Sequence, residues 1–318
     1  MTTPLPVHTD DRGTPVLVVE LTQDAPVVVL DRALLEALDA TLAGLSLDGV
    51  AGVVLASASE KVFVAGADLK AVRDLSDADL HAYLEFGASV FAKFHQMPVW
   101  TAAAINGAAL GGGLELAMHC DGLIGAPGQK PYPVGLPEAG LGICPGWGGT
   151  NLLPARIDPA TAIRATAAGT PMPYPDAADA GLFDLIAQDA TPPSSGLRSL
   201  AADWIRGQGA PPTRDGAPYR WIGREAGPVR EALKAVEADL PDTGPGAGPA
   251  KAVAEAVAVG LGTPKDDPAL NPGETGGPGG SAAGGWQEAL QTERHHLVRL
   301  RHEPAGRAAI EKFFSKSK

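Results

Sequence analysis

No stretch of this chain constrains its fold more than residues 106–121, Asn-Gly-Ala-Ala-Leu-Gly-Gly-Gly-Leu-Glu-Leu-Ala-Met-His-Cys-Asp. The apolar run 99–105 ahead of it reads as a strand buried on both faces, and 111–120 reads as a helix. Three glycines between the two let a ligand come close to the backbone. They also leave the first helical N–H groups pointing outward without partners. Such a helix start favours negative charge, including charge that develops on an enolate oxygen during a reaction. Glu115 falls in its first turn. The uncharged run 94–114 is long enough on paper to span a membrane. Pro98, Asn106, Gly107 and the three glycines keep it from being a smooth lipid-facing helix.

Around that stretch the hydrophobic period alternates. Runs 15–21 and 26–30 are short and β-branched, and Leu34, Leu35, Leu38, Leu42 and Leu45 then recur at helical spacing. Residues 50–56 and 123–126 read as further strands. Ser76 and Asp79 resemble a capping box ahead of a helix that Pro98 ends. The pattern is α/β with crossover helices. Beyond Asp189, segments 195–208 and 228–240 look helical. Between 241 and 285, 19 of 45 residues are Gly or Pro, so that stretch reads as linker or mobile insertion, with only 250–259 able to hold a helix. Periodicity returns with Trp286, Leu290, Glu293, Leu297 and Leu300, then Ile310 and Phe313. The expected division is a core over 1–190, a helical segment over 191–240, the Gly/Pro-rich insertion over 241–285 and terminal helices over 286–318.

Charge narrows the partners. With 25 basic and 37 acidic residues the net charge is −12, which disfavours nucleic acid and membrane surfaces, although the end of the chain is locally basic. Two cysteines do not suggest a disulfide scaffold, and residues 1–13 lack the apolar region of a signal peptide. A cytoplasmic location is expected.

Four glycine-rich turns lie beside carboxylates: VFVAGADLK at 62–70, the 106–121 stretch, GLPE at 135–138, and PGWGGT at 145–150. In this order they resemble the crotonase (enoyl-CoA hydratase/isomerase) superfamily. The similarity is dense over 50–186, weaker over 15–49, and returns in the terminal ERHHLVRLRHEPAGRAAIEKFFSKSK. The resemblance implies an α/β fold with a crotonase-like ββα spiral core and a C-terminal helical region. It implies an oxyanion hole from the backbone N–H groups of Ala67 and Gly112. Coenzyme A and substrate contacts would come from Ala67, Asp68, Leu69, Lys70 and Gly112. Catalysis would fall to Glu115, activating water, and Glu138, handling the proton at Cα. The implied activity is that of an enoyl-CoA hydratase, a lyase of fatty acid metabolism and β-oxidation, acting on a trans-2-enoyl-CoA thioester. No metal or redox cofactor is needed, because coenzyme A is part of the substrate. A homotrimer or hexamer is implied, and a partnership with a 3-hydroxyacyl-CoA dehydrogenase is allowed. Two other readings stay open: a Δ3,Δ2-enoyl-CoA isomerase resting on Glu138, and a non-catalytic acyl-CoA-binding protein, which would have no chemical reason to keep two glutamates.

Each remaining candidate has a plain structural alternative. Asp68 reads as a helix cap, and Lys61 and Lys70 as either solvated or touching coenzyme A phosphates. His119 and Cys120 read as core, since no second pair stands at metal-ligand spacing. His295 and His296 read as solvated, or as approaching the coenzyme A 3′-phosphate of a neighbouring subunit. Trp147 reads as packing, with the acyl pocket as the alternative.

Overall fold

The computed structural model describes residues 3–25, 27–188, 194–262 and 282–316. A six-stranded sheet takes β1 (Val7–Asp10), β2 (Val16–Leu21), β3 (Gly52–Ser57), β5 (Trp100–Ile105), β7 (Gly122–Gly125) and β10 (Leu185–Ile186), in that order. All its neighbours pair in parallel except the β1–β2 edge. A four-stranded sheet holds β4 (Val62–Val64), β6 (Ala108–Leu110), β8 (Pro133–Gly135) and β9 (Met172–Pro173). The chain visits the two sheets alternately: β3 leads to β4, β5 to β6 and β7 to β8. That alternation, closed by helices, is the ββα spiral expected from the resemblance.

Helices α1 (Arg32–Ala43), α2 (Leu69–Asp74), α3 (Asp77–Gln96), α4 (Gly112–Met118) and α5 (Gly149–Leu152) belong to the spiral. They are followed by α6 (Pro159–Ala168), α7 (Tyr174–Asp179), α8 (Ser194–Arg206) and α9 (Ala226–Glu237). The C-terminal helical region is α10 (Ala247–Gly260), α11 (Ala282–Leu300) and α12 (Pro304–Lys316). Period-two alternation sends Val16, Val18, Val54, Ala102 and Ala104 to one face of the large sheet, where Leu197, Ala201 and Ile205 of α8 cover them. Val19, Leu21, Val53, Leu55 and Ile105 face the main core on the other side. Both faces are therefore covered, as parallel sheets require. Ser76 caps α3 by accepting the Asp79 N–H at 3.1 Å. The uncharged run 94–114 divides among the end of α3, β5, β6 and the start of α4. Among the described residues no helix is long and apolar enough to cross a membrane.

One segment differs from the sequence reading and one sharpens it. Residues 27–30 form no strand; Leu30 makes a single parallel bridge to Ala67, while Val29 donates its N–H to the Gln23 side chain at 2.7 Å. Within the Gly/Pro-rich stretch, the 250–259 run that could hold a helix does so as part of α10, and it is core, with Ala250, Ala252, Val253, Ala256 and Val257 fully buried. Its small side chains allow close packing against α11. Residues 263–281 of that stretch lie outside the described residues.

Candidate active site

The ends of two paired strands of the small sheet, β4 and β6, meet here. After β4 the chain turns at Gly66, and a β-carbon there would sit 4.0 Å from the Gly112 nitrogen. The turn is tied to the α1 side by Leu30 N–H donating to Gly66 O (2.9 Å) and Ala65 N–H donating to Val28 O (2.8 Å). The Tyr83 hydroxyl donates to Leu30 O and lies 3.4 Å from the Asp68 nitrogen. After β6, Gly111 takes φ +51°, and a β-carbon on it would meet Glu138 Oε1 at 2.2 Å. Gly112 opens α4, so its N–H has no acceptor within the helix. The Trp147 ring lies so close that a β-carbon on Gly112 would stand 2.3 Å from it.

Three buried carboxyl groups surround this place. Glu115 Oε1 accepts the backbone N–H groups of Trp147 and Gly149, both at 2.8 Å. Burial, and then the neighbouring Glu293 and Glu138 charges, push its pKa well up, and those two N–H bonds oppose the rise. Glu138 begins a short 3-10 turn (Glu138–Leu141), and its Oε2 is buried without a hydrogen-bond partner among the described residues. Burial raises its pKa to about 8. The third group, Glu293 of α11, was not singled out from the sequence. Its Oε2 accepts Gly148 N–H at 2.5 Å, and its Oε1 accepts both the N–H (2.9 Å) and the hydroxyl (2.5 Å) of Thr150. Burial lifts it to about 7 against those donors. The one sequence signal was its position on the apolar stripe of α11, between Leu290 and Leu297. A carboxylate on such a stripe must find partners inside.

All of Ala67, Asp68, Leu69, Lys70, Gly112, Glu115 and Glu138 line one cavity of about 590 Å³. Its lining is otherwise largely apolar, with Val29, Leu141, Ile143, Leu297 and Phe314 among the wall residues. Asp68 caps α2, accepting the Lys70 N–H at 2.9 Å. Trp147 both lines the cavity and packs: it is buried, and its indole N–H donates to Leu84 O at 2.8 Å. Lys61 lies elsewhere, in a separate cleft with Ser59 and Glu60. His119 and Cys120 are core. His295 is exposed, but His296 is half-buried and 3.1 Å from Glu255, so a solvated role fits only the former. A larger cleft of about 680 Å³, beside Arg156, Arg220 and Trp221, contains none of the expected site residues. Among the described residues no three His, Cys, Asp or Glu side chains are placed to hold a metal ion.

The enoyl-CoA hydratase/isomerase family model matches residues 11–208. Enoyl-CoA isomerase/hydratase fer4 of Mycosarcoma maydis is 40% identical over 139 residues, 44% of this chain and 50% of that protein. A Bacillus subtilis (strain 168) protein named "Probable enoyl-CoA hydratase" is 35% identical over 178 residues, 56% of this chain and 68% of its own length. The match to the first of these relatives thus spans half of that protein. Among solved structures, human mitochondrial delta3-delta2-enoyl-CoA isomerase aligns with a TM-score of 0.61 and 20% identity, over 98% of this chain and 97% of that one. Enoyl-CoA hydratase from Bacillus halodurans aligns with a TM-score of 0.62 and 20% identity, over 96% and 99%. At that identity the structures speak for the fold alone. The family model, however, covers well over half of the chain and takes in every glycine turn of the site, so the chain belongs to the enoyl-CoA hydratase/isomerase family, the crotonase superfamily.

Proposed function

We propose that this chain adds water across the double bond of a trans-2-enoyl-CoA to give the 3-hydroxyacyl-CoA. The observation that carries the reading is that two buried carboxyl groups, Glu115 and Glu138, line the same cavity as the backbone of Ala67 and Gly112. The thioester oxygen accepts the Ala67 and Gly112 N–H groups. As the water oxygen bonds to Cβ, electron density moves onto that thioester oxygen. Donors already aimed there lower the barrier, each by about 3–4 kcal/mol.

The two carboxyl groups divide the protons. Glu115 receives two backbone N–H bonds on Oε1, which oppose the rise in its pKa that burial causes; in its carboxylate form its other oxygen takes the proton from water. Glu138 has no donor on Oε2 among the described residues and a pKa raised to about 8, so it holds a proton near neutral pH and delivers it to Cα. The sum is hydroxyl on Cβ and hydrogen on Cα, with one proton moved from water to Glu115 and one from Glu138 to substrate. Return of a proton from Glu115 to Glu138 through water resets the site. These steps use no metal and no redox group. The apolar wall of Val29, Leu141, Ile143 and Leu297 suits an acyl chain.

Isomerisation of a 3-enoyl-CoA would use Glu138 alone, moving a proton between C2 and C4, and would leave the buried Glu115 without work. The test offers short, medium and long trans-2-enoyl-CoA and 3-enoyl-CoA thioesters and follows the conjugated enoyl-thioester absorbance. Loss of that absorbance from the 2-enoyl substrates, with 3-hydroxyacyl-CoA as product, is expected. A rise from 3-enoyl substrates alone would establish an isomerase instead. Binding without any turnover would establish a non-catalytic acyl-CoA-binding protein.

A further inference from the structure

Glu115 is held by a backbone turn, and that turn is itself held by a histidine. Trp147 donates its N–H to Glu115 Oε1, and its carbonyl oxygen lies 2.9 Å from His119 Nε2. His119 is the C-cap residue of α4, the helix whose first turn carries Glu115. The next peptide unit, between Trp147 and Gly148, is therefore pinned at both ends: its C=O by His119 and its N–H by Glu293. Neither peptide flanking Trp147 can rotate without breaking a buried hydrogen bond.

The hydrogen bonds assign the protons. A carbonyl only accepts, so His119 Nε2 carries hydrogen. A neutral imidazole then presents a bare Nδ1, and that nitrogen lies 3.1 Å from His95 Nδ1. His95 must therefore carry its hydrogen on Nδ1 and donate it. Both rings are buried, with centroids 5.1 Å apart and planes inclined by 28°. Burial lowers His119 to about 4 and His95 well below the usual imidazole range, so the pair is neutral at pH 7. His95 Nε2, the nitrogen this tautomer leaves bare, has no close partner among the described residues.

We propose that His119, oriented by His95, is a positioning residue that fixes the Trp147 turn and through it the water-facing oxygen of Glu115. This rests on the reading of Glu115 as the group that activates water. A core pair with no such role would be replaceable by any side chains that fill the space.

Three variants and one spectroscopic measurement test it. In selectively 15N-labelled protein at pH 7, His119 is expected as the neutral Nε2–H tautomer and His95 as the neutral Nδ1–H tautomer. The opposite tautomers, or a positively charged pair, would overturn the proposal. His119→Leu, which keeps volume and removes the donor, is expected to lower kcat by about 10–100-fold with KM changed by less than about twofold. His119→Gln, whose amide N–H reaches for the same carbonyl, is expected to recover most of that loss. His95→Phe is expected to fall between them. Equal kcat in His119→Leu and the unmodified protein, or a loss that His119→Gln does not repair, would contradict the proposal. An unmodified protein that turns over no enoyl-CoA would end the hydratase reading. The inference is then judged on the 13C titration of the Glu115 carboxyl group: moved in His119→Leu and restored in His119→Gln supports it, and unmoved overturns it.

Discussion

Glu115 and Glu293 grip one turn from two sides, taking four consecutive backbone N–H groups by alternation. Those of Trp147 and Gly149 point to Glu115, and those of Gly148 and Thr150 to Glu293. Glu115 comes from the first turn of α4 and Glu293 from α11, so the turn is the joint between the spiral core and the C-terminal helices. The missing side chain of Gly149 makes room, because a β-carbon there would stand 3.0 Å from Glu115 Oε1.

Cutting one half of the grip should cost both stability and rate. Glu293→Ala leaves the Gly148 and Thr150 N–H groups and the Thr150 hydroxyl buried without an acceptor. The expected loss is about 3 kcal/mol, read by urea unfolding. The kcat should fall with it, because the freed turn no longer holds Glu115. Unchanged unfolding and unchanged kcat would show that the α11 carboxylate is dispensable.

Gly111→Ala should disable the site while sparing most of the fold. The backbone there has φ +51°, and the new methyl group would fall 2.2 Å from Glu138 Oε1. Strain of about 1–3 kcal/mol is expected, together with displacement of the Glu138 carboxyl group. The kcat should drop by about 100-fold or more. Near-normal turnover would mean that Glu138 moves aside without consequence, which its proposed role does not allow.

Stability should fall as the solution becomes alkaline. Glu138 and Glu293 titrate near 8 and near 7 in the folded protein, against a normal value of 4.5. Folding therefore favours their protonated forms. That contribution is complete below about pH 4.5 and is lost as pH rises through about 7 to 8. Each group adds a slope of at most about 1.4 kcal/mol per pH unit inside that window. Unfolding measured from mildly acidic to mildly alkaline pH should decline less steeply in Glu138→Gln than in the unmodified protein. Activity should also decline as Glu138 loses its proton above about pH 8. Parallel stability curves for the two proteins would refute the raised pKa.

Tyr83→Phe tests the other wall. Its hydroxyl ties Leu30 O to the start of α2, beside the Ala67 turn. Loss of that bond is expected to cost about 0.5–1.5 kcal/mol in stability. It should also lower kcat several-fold by loosening one of the two proposed oxyanion donors. A stability loss with no change in kcat would separate Tyr83 from the oxyanion hole.

What could be read from the chain alone follows the range of the interactions. Glu115, Glu138 and the glycines announce themselves because each sits in a short stretch whose residues also shape the turn. Glu293 does not, because its partners stand some 143 to 145 positions away and nothing nearby explains its burial. Of the helix Ala247–Gly260 only the 250–259 run is legible, because glycines and prolines crowd its ends, and its burial is not, although the Ala and Val side chains within it make the contacts. Residues 27–30 mislead in the opposite sense. Their β-branched side chains suit a strand, but only Leu30 finds a bridge, and Val28 and Val29 spend their polar groups on Ala65 and Gln23. The His95–His119 pair is invisible locally, since its members are 24 positions apart, on α3 and at the end of α4, with β5 and β6 between those helices.

The most direct test of the account is the rate of trans-2-enoyl-CoA hydration in Glu115→Gln and Glu138→Gln, beside the unmodified protein. Each substitution keeps the shape and removes one proton carrier. The account predicts that kcat falls by about 10²–10⁴ in each, with only modest changes in KM. A near-normal kcat in either variant would remove that carboxyl group from the mechanism and contradict the account.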